Sequence, residues 1–258
     1  MSPDLVRAFA PTGVLRAAIN LGNPLLVALN PDNGKPFGLS IDLAHQWAQQ
    51  LGVPVEHKIV DKAAQAVALV ADGEADIGFF AVDPKRAADI AFTAPYLLIE
   101  GSYLVPAGSG IGSNAEVDRD GVRVVVGKGS AYDLFLSREL KHAQIVHADS
   151  SQAVVDTCIE QGLEVAAGVR QQLVADMARH PGCRLLDGRF MQIRQAMALP
   201  KARGDAAAAA LAAFIEREKA SGAIAEALKR HAIDGGTVAP PGVDGGNGNA
   251  VPDGAASR

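Results

Sequence analysis

Short apolar runs of strand length alternate with segments of helical periodicity twice along this chain, and this alternation restricts the fold more than any other feature. The first series has predicted strands at 15–20, 53–60 and 77–81 and predicted helices at 41–51 and about 62–71. Strands that alternate with helices form parallel sheets covered by helices on both faces. We therefore expect an α/β protein whose first unit is a doubly wound, mostly parallel sheet.

A second series of the same kind begins after a turn-rich stretch at residues 106–113. Its elements, strand first and then alternately helix and strand, are predicted at 122–126, 131–140, 144–148, 151–161 and 164–167, with another helix after Val169. In sheets of this type ligands bind at the carboxyl ends of the strands. The side chains that follow the strands are therefore the candidate functional residues.

Composition argues against several classes of function. Of the 258 residues, 48% are hydrophobic and 21% are charged, which is typical of a globular protein long enough for two cores of about 100 residues each. The net charge of −5, without a basic patch interleaved with aromatic residues, argues against nucleic-acid binding. No apolar run approaches the roughly 18 residues of a membrane span. The six histidines lack metal-binding spacing and no nucleophile motif occurs, so we expect neither a metal nor a cofactor.

The stretch from Asp76 to Tyr96 contains the most informative candidate, Arg86. The strand at 77–81 is followed by Asp83-Pro84, a helix N-cap with proline in the first turn, so Arg86 is predicted at a helix start that favours anions. Because an arginine is otherwise unfavourable there, we interpret it as a two-point grip on a carboxylate. The alternative is a solvated arginine paired with Asp89.

The same stretch resembles the signature of the family 3 extracytoplasmic solute-binding proteins, the amino-acid type receptors of ABC importers. The resemblance extends over about residues 13–233, and its matching residues are Asp76, Asp83 to Arg86, Phe92-Thr93 and Pro95-Tyr96. It implies a two-lobed, type II periplasmic-binding-protein-like fold and the capture of a small carboxylate-bearing solute, an amino acid or a related organic acid. It also implies a periplasmic location, with the membrane subunits of an ABC transporter as partners. In the family the arginine at the place of Arg86 holds the ligand carboxylate.

Two crossings are expected to connect the lobes. The extended segment at 97–105 leads out of the first lobe, and the extended segment at 189–199 leads back, with Pro200-Lys201 matching the return crossing of the family. A glycine- and proline-rich end of the chain lacks periodicity and predicts disorder. The expected division is therefore lobe 1 at 1–98 and 198–234, lobe 2 at 99–197, and a disordered tail at 235–258.

Further candidate ligand-binding residues lie at other predicted strand ends of the first lobe. Asn20 and Asn23 follow the first strand, where the family usually carries an acidic residue and a stacking aromatic residue. Phe79, Phe80 and Ala81 end the third strand. Because successive residues of a strand point to opposite faces, we expect only one of the two phenylalanines to face the cleft.

The second lobe contributes Ser130, Ala131, Tyr132 and Arg170 as candidates. The loop at 127–130 fails the spacing of a phosphate-binding P-loop. It matches the family's ligand-gripping loop, and we expect Ser130 to cap a helix while the N–H groups of Ala131 and Tyr132 face the cleft. Arg170 follows a strand and is expected to face the cleft from the opposite side.

The loss of acidic groups predicts a ligand other than a standard zwitterionic amino acid. Asn20 replaces an acidic residue, and Val169 or Arg170 stands where the family has its ammonium-binding aspartate. An ammonium group buried there would lose its hydration without gaining a counter-charge, at a cost on the order of several kcal/mol. A ligand with a second acid group, or with a neutral polar group, fits this pattern better.

An enzyme is the alternative function, because a cyclohexadienyl dehydratase that acts on arogenate-type substrates shares this fold, and fold alone does not fix function. Glu100, at the crossing, is the best candidate for its general acid. Such an enzyme would be a lyase. The binding protein is the interpretation that the matched residues favour.

Two further features concern location and redox state. Residues 1–10 lack the basic and apolar regions of a secretory signal, so the signal has been removed from this sequence, the start is misplaced, or the protein stays in the cytosol. Cys158 and Cys183 are expected to be unpaired, buried thiols. We expect a monomer.

Overall fold

The structure, a computed structural model, describes residues 1–242. The first part of the chain forms α1 (Pro3–Phe9), β1 (Leu15–Asn20), β2 (Ala28–Leu29), β3 (Pro36–Phe37), α2 (Leu39–Leu51), β4 (Val55–Val60), α3 (Ala63–Ala71), β5 (Ile77–Ala81) and β6 (Ile90–Phe92). The central part forms β7 (Leu97–Val105), β8 (Arg123–Gly127), α4 (Ala131–Glu139), β9 (Gln144–Ala148), α5 (Val154–Glu160), β10 (Val165–Val169), α6 (Arg170–Met177) and β11 (Arg184–Leu185). The chain returns through β12 (Met191–Pro200) and continues as α7 (Asp205–Ala220), α8 (Ala223–Arg230) and β13 (Thr237–Val238).

Two groups of parallel strands dominate the main sheet. In the first group β1 lies between β4 and β5 and is parallel to both. In the second group β8 lies between β9 and β10, again parallel to both. We call the first group, with β6 and the C-terminal part of β12, the N-terminal half-sheet, and the second group, with β11 and the C-terminal part of β7, the central half-sheet. The predicted α/β, doubly wound and mostly parallel architecture is confirmed.

The two crossing strands join the half-sheets into one hydrogen-bonded sheet of 11 strands. Strand β12 pairs with β7 through Met191–Gln195 and with β5 through Gln195–Ala198, antiparallel in both cases. Strand β7 pairs in turn with β10 through residues 101–104. The sheet is therefore continuous through the crossings instead of being divided between the predicted lobes, and the lobe boundaries near residues 98 and 198 stay a prediction.

Helices cover both faces of each half-sheet because the central strands are apolar on both faces. Trp47 on α2 is fully buried, with its ring 4.9 Å from that of Phe9 and 5.1 Å from that of Phe214, so α1, α2 and α7 share one core. On the opposite face α3 packs over Phe80. In the central half-sheet, Val125 of β8 faces the core cluster that contains α5, and its strand neighbours face the other.

Each half-sheet contains the same arginine–carboxylate clamp between its first and third strands. Arg16 of β1 donates its backbone N–H and two N–H groups of its guanidinium to the Asp76 carboxylate, at 2.7–2.9 Å. Arg123 of β8 makes the same three bonds to Glu164, at 2.6–2.9 Å. In the N-terminal half-sheet Arg203 adds a second guanidinium to Asp76, whose side chain is fully buried. These clamps fix the strand starts, and the opposite strand ends carry the candidate site.

Two expectations from the sequence are corrected. The helix predicted after β5 is only a three-residue 3-10 turn, Arg86–Ala88, because the chain enters β6 at residue 90 and pairs there with β12. The predicted disordered tail does not begin at residue 235, since β13 pairs with Leu97-Leu98 of β7. The remainder of that predicted tail, residues 243–258, lies outside the described residues.

Two predictions from composition concern the described chain as well. Cys158 and Cys183 are both buried and both unpaired. Burial raises the pKa of each thiol, and that of Cys158 reaches about 12. In residues 1–242, no helix combines the length and the apolar character that a membrane crossing requires.

The clamps generate a prediction about stability. Asp76→Asn removes the carboxylate that pairs with both Arg16 and Arg203 and leaves their two guanidinium groups without it, so we expect the free energy of unfolding to fall by about 3 kcal/mol. Glu164→Gln is the matched control, because its pair with Arg123 is partly exposed and should contribute much less. Urea unfolding followed by circular dichroism measures both variants. Equal losses would contradict the asymmetry between the clamps.

Candidate functional site

A cavity of about 320 Å³ lies between the two half-sheets, at the carboxyl ends of β1, β5, β8 and β10. This is where ligands bind in parallel α/β sheets. Nine of the ten residues predicted from the sequence line it: Asn20, Asn23, Phe79, Phe80, Ala81, Arg86, Ser130, Ala131 and Tyr132. The structure therefore brings together candidates from both halves of the chain around one cavity, and their roles in ligand binding stay predictions.

Arg86 is the charged residue of this cavity wall, and it is 7% exposed. Its guanidinium donates one hydrogen bond of 3.1 Å to the carbonyl of Ala81 and another of 3.1 Å to the carbonyl of Gly129. A guanidinium has more N–H donors than these two bonds use. Within residues 1–242 no carboxylate lies at ion-pair distance from it, and the alternative partner Asp89 makes no such pair.

Burial is the larger effect on the Arg86 charge. It lowers the pKa of the guanidinium to about 10, while the nearby Asp83 carboxylate acts in the opposite direction. Arg86 thus remains positively charged at neutral pH. A buried cation that is bonded to neutral carbonyls alone is compensated poorly, and an anion entering the cavity would supply the missing charge.

Three polar contacts join the half-sheets around the cavity. Arg86 on the N-terminal side reaches Gly129 on the central side, as described above. Asp83, which is 3% exposed, forms an ion pair of 2.9 Å with Arg138 of α4. The side-chain amide of Gln152 donates to the carbonyl of Leu21 at 3.3 Å. These bonds hold the two sides of the cavity close together.

The loop from Gly127 to Ser130 is held by a reciprocal cap at the start of α4. Ser130 accepts a hydrogen bond from the backbone of Asp133, and the Asp133 carboxylate accepts one from the backbone of Gly129 at 2.7 Å. Gly129 has φ +75°, a left-handed conformation that glycine adopts easily. Gly129 is also the residue whose carbonyl accepts the hydrogen bond from Arg86. The glycine therefore helps to place the carbonyl that makes this contact across the cavity.

Tyr132 closes the central side of the cavity and is almost fully buried. Burial raises the pKa of its hydroxyl, and hydrogen bonds with Ser151 and Ser130 offset part of this rise. The phenol therefore stays protonated at neutral pH. It contributes a neutral polar group beside the Ser130 hydroxyl.

Asn20 shapes the opposite wall through a local turn. Its side-chain oxygen accepts a hydrogen bond of 2.9 Å from the backbone of Gly22. A Cβ atom at position 22 would lie 2.6 Å from the carbonyl oxygen of Asp61 and 2.8 Å from the Asn20 side chain, so only glycine fits there. The turn brings Asn23 to the cavity wall, as the position of these residues after β1 predicts.

The expectation for Arg170 is wrong in one respect. The residue does stand at the end of β10, as the first residue of α6, but it does not line the cavity. Its guanidinium instead bonds the carbonyl of Gly188 at 3.2 Å and approaches the Glu100 carboxylate at 3.9 Å. A side chain at a helix start can point to either side of the strand end, and the sequence pattern does not specify which.

The expectation that only one of Phe79 and Phe80 faces the cavity stays a prediction, although both are among the residues that line it. The alternation itself holds, since Phe79 and Phe80 belong to core clusters on opposite faces of the sheet.

Several residues that line the cavity were not predicted from the sequence. Ser151 follows β9, so the rule used for the other strand ends could have identified it. Gln195 and Ile193 lie on the crossing strand β12, and no local signal marks them. Gln171 and Gln172 follow the start of α6. Their neighbour Val169 lines the cavity in place of the predicted Arg170. In residues 1–242 no three His, Cys, Asp or Glu side chains are grouped as metal ligands.

A family comparison bears on this arrangement. The model of the bacterial extracellular solute-binding proteins, family 3, matches residues 15–233. This span includes every lining residue of the cavity. A comparison with curated proteins finds no match.

Solved structures share the fold at low sequence identity. The solute receptor for L-cysteine of Neisseria gonorrhoeae is 23% identical, with a TM-score of 0.75 over 89% of this chain and 94% of that one. A putative ABC transporter binding component from Wolinella succinogenes, complexed with lysine, is 22% identical, with a TM-score of 0.70 over 85% and 95%. An ancestral amino acid-binding protein, described as a precursor of cyclohexadienyl dehydratase, is 20% identical, with a TM-score of 0.71 over 87% and 98%. The fold is that of the type II periplasmic binding proteins.

The ion pair across the cavity generates a prediction about shape. In Arg138→Gln the buried Asp83 carboxylate loses its cation, and separation of the half-sheets would return it to water. We therefore expect a larger radius of gyration for the ligand-free variant in small-angle X-ray scattering, with an unchanged circular dichroism spectrum. Arg119→Gln, which removes an exposed arginine within the central part, is the control and should leave the radius unchanged. An unchanged radius in Arg138→Gln would contradict a closing role of the pair.

Proposed function

Because this chain belongs to the bacterial extracellular solute-binding proteins of family 3, we propose that it is the substrate-binding protein of an ABC importer and holds a small carboxylate-bearing solute in the cavity between its half-sheets. The observation that carries the proposal is the buried charge of Arg86. Arg86 lines the cavity, and its guanidinium has more N–H groups than its bonds to two neutral carbonyls use. A carboxylate can accept two parallel hydrogen bonds from such a group.

The remaining lining groups support a solute of this kind. Ser130 and Tyr132 on the central side and Asn20 on the N-terminal side are neutral and polar. Apolar residues, among them Phe79 and Leu173, form much of the remaining wall. A site with few polar groups in an apolar cavity suits a small organic solute with one anionic end.

Closure of the two sides around the solute is the proposed mechanism. The groups that would contact the solute come from both half-sheets, so the binding surface is complete only when the halves are close together. A solute carboxylate at Arg86 would compensate the buried charge in the closed arrangement alone and would thereby favour it. The membrane subunits of the importer would then recognise the closed shape.

Membership of the family supports a proposal about where this protein acts and with which partners. The family is extracellular, and we propose that this protein acts outside the cytoplasmic membrane, in the periplasm. We also propose that it acts as a monomer, with the membrane subunits of an ABC transporter as its partners. The neighbours that share its fold include amino-acid receptors, and amino acids are for that reason among the solutes to be tested.

The enzyme alternative loses the residue on which it depended. Glu100, the candidate general acid, pairs with Arg189 at 3.2 Å and does not line the cavity. Among the described residues no aspartate or glutamate lines the cavity, so no carboxylic acid of the wall could take the place of Glu100 as general acid. We therefore propose a binding protein and no dehydratase.

A thermal-shift screen with amino acids, hydroxy acids, keto acids and dicarboxylates tests the proposal, since a ligand that binds the folded state raises the melting temperature. Stabilisation by at least one carboxylate, confirmed by calorimetry, would support it. Stabilisation by none, in protein freed of bound ligand by unfolding and refolding, would contradict it. Turnover of prephenate or arogenate by the purified protein would favour the dehydratase.

Arg86→Ala provides the sharpest prediction of this proposal. Truncation should weaken binding of the identified carboxylate by about 2–5 kcal/mol, because it removes a buried charged partner. Ser130→Ala should cost about 1 kcal/mol, the contribution of one neutral hydrogen bond. Arg170→Ala is the matched control, because this arginine also follows a strand but lies outside the cavity. Calorimetry measures all three, and unchanged affinity in Arg86→Ala would show that the site assignment is wrong.

A further inference from the structure

The cavity has one charged residue on its wall and several neutral polar groups, and this imbalance bears on the ligand class. Arg86 supplies a positive charge, whereas no aspartate or glutamate of the described residues lines the cavity. A zwitterionic amino acid would bring its ammonium group into the same cavity as Arg86. That ammonium would lose its hydration without gaining a counter-charge, which is costly.

The buried carboxylates nearest in sequence to the lining residues already have partners. Asp83 pairs with Arg138 at 2.9 Å, and Asp133 accepts bonds from Gly129 and His147. Asp176 pairs with Arg179 at 2.7 Å and accepts a bond from Gln172, both through Oδ1, while its buried Oδ2 has no partner among the described residues. Use of Asp83 or Asp133 by a ligand ammonium would require an existing ion pair or hydrogen bond to be shared or broken. Asp176 does not line the cavity.

Three further charged residues near the cavity in sequence do not line it: two exposed aspartates and Arg170. Asp61 and Asp149 lie close in sequence to lining residues, but both are exposed to solvent. Arg170, the second cation that would suit a dicarboxylate, approaches Glu100 outside the cavity. The charge on the cavity wall therefore matches one negative charge of a ligand, and the described lining residues offer no charged partner to an ammonium group and no second cation to a further carboxylate.

Two lining amides lack partners for part of their side chains. The Oε1 atoms of Gln195 and Gln171 are buried and have no hydrogen-bond partner among the described residues, and Gln195 is 5% exposed. A buried amide without a partner is costly, so a ligand group that bonds it would be favoured. Both Oε1 atoms can accept hydrogen bonds, and a hydroxyl can donate to them without bringing a second positive charge beside Arg86.

These observations rest on the proposed function and narrow it. We propose that the ligand is a hydroxycarboxylate with an apolar body: a carboxylate at Arg86, a neutral hydroxyl at the glutamine amides, and no ammonium group. The apolar body would pack on the wall that includes Phe79, Val169 and Leu173.

Matched ligand pairs test this inference. L-phenyllactate is compared with L-phenylalanine, and L-2-hydroxy-4-methylpentanoate with L-leucine, by calorimetry at pH 7.5 on protein refolded without ligand. The members of each pair differ in the hydroxyl or ammonium group alone. We expect the hydroxy acid of at least one pair to bind at least about tenfold more tightly than its amino acid. The free-energy difference behind a roughly tenfold ratio of Kd values is small compared with the cost of burying an ammonium group without a counter-charge.

A designed counter-charge gives a second readout. Val169 lines the cavity, has an extended backbone and precedes the first residue of α6 without a side-chain cap, a position that aspartate occupies readily. Val169→Asp should shift the ratio of the two Kd values toward the amino acid by about tenfold or more relative to Val169→Asn. Val169→Asn has the same shape without the charge and reports any effect of the substitution on folding.

The outcomes separate this inference from the proposed function. Tighter binding of the hydroxy acids, with the shift in Val169→Asp, supports both. Equal or tighter binding of the amino acids overturns the inference and leaves a carboxylate receptor in place. Failure of both hydroxy acids, with binding of other carboxylates in the wider screen, also overturns the inference alone. Failure of every carboxylate overturns the proposed function with it.

Discussion

A guanidinium that is buried without a carboxylate partner is the constraint on which the rest of this site depends. Arg86 is 7% exposed and bonds only the carbonyls of Ala81 and Gly129 among the described residues. One of these carbonyls belongs to its own half-sheet and the other to the opposite side of the cavity. The same side chain thus links the two sides and offers an anion site between them, which connects the packing of the protein to the proposed binding of a solute.

The surrounding fold supplies the rigidity that such a site requires. Clamps of Arg16 with Asp76 and of Arg123 with Glu164 fix the starts of the strands in the two half-sheets. The crossing strands β7 and β12 pair with each other and connect the half-sheets. The carboxyl ends of β1, β5, β8 and β10 lie around the cavity. Polar groups on rigid strand ends lose little freedom when a ligand binds, so more of the interaction energy is available for affinity and selectivity.

Local pattern was sufficient to predict the fold and much of the cavity wall. Alternating apolar runs predicted the parallel strands, and the rule that ligands bind at strand ends identified Arg86, Asn20 and Ser130 as neighbours in space. Three features depend on contacts between distant parts of the chain and were inaccessible to that reasoning. The turn after β5 is shortened by the pairing of β6 with β12, Arg170 is drawn toward Gly188 and Glu100, and Gln195 reaches the cavity from a crossing strand without a local signal.

The most direct test of the central claim is a crystal structure of the protein with its tightest-binding carboxylate. The account predicts that both carboxylate oxygens lie about 2.7–2.9 Å from Arg86 nitrogens, as in other charge-assisted, two-point contacts. It also predicts that the bonds from Arg86 to Ala81 and Gly129 persist. A ligand whose carboxylate binds elsewhere in the cavity, with Arg86 bonded to backbone carbonyls alone, would contradict it.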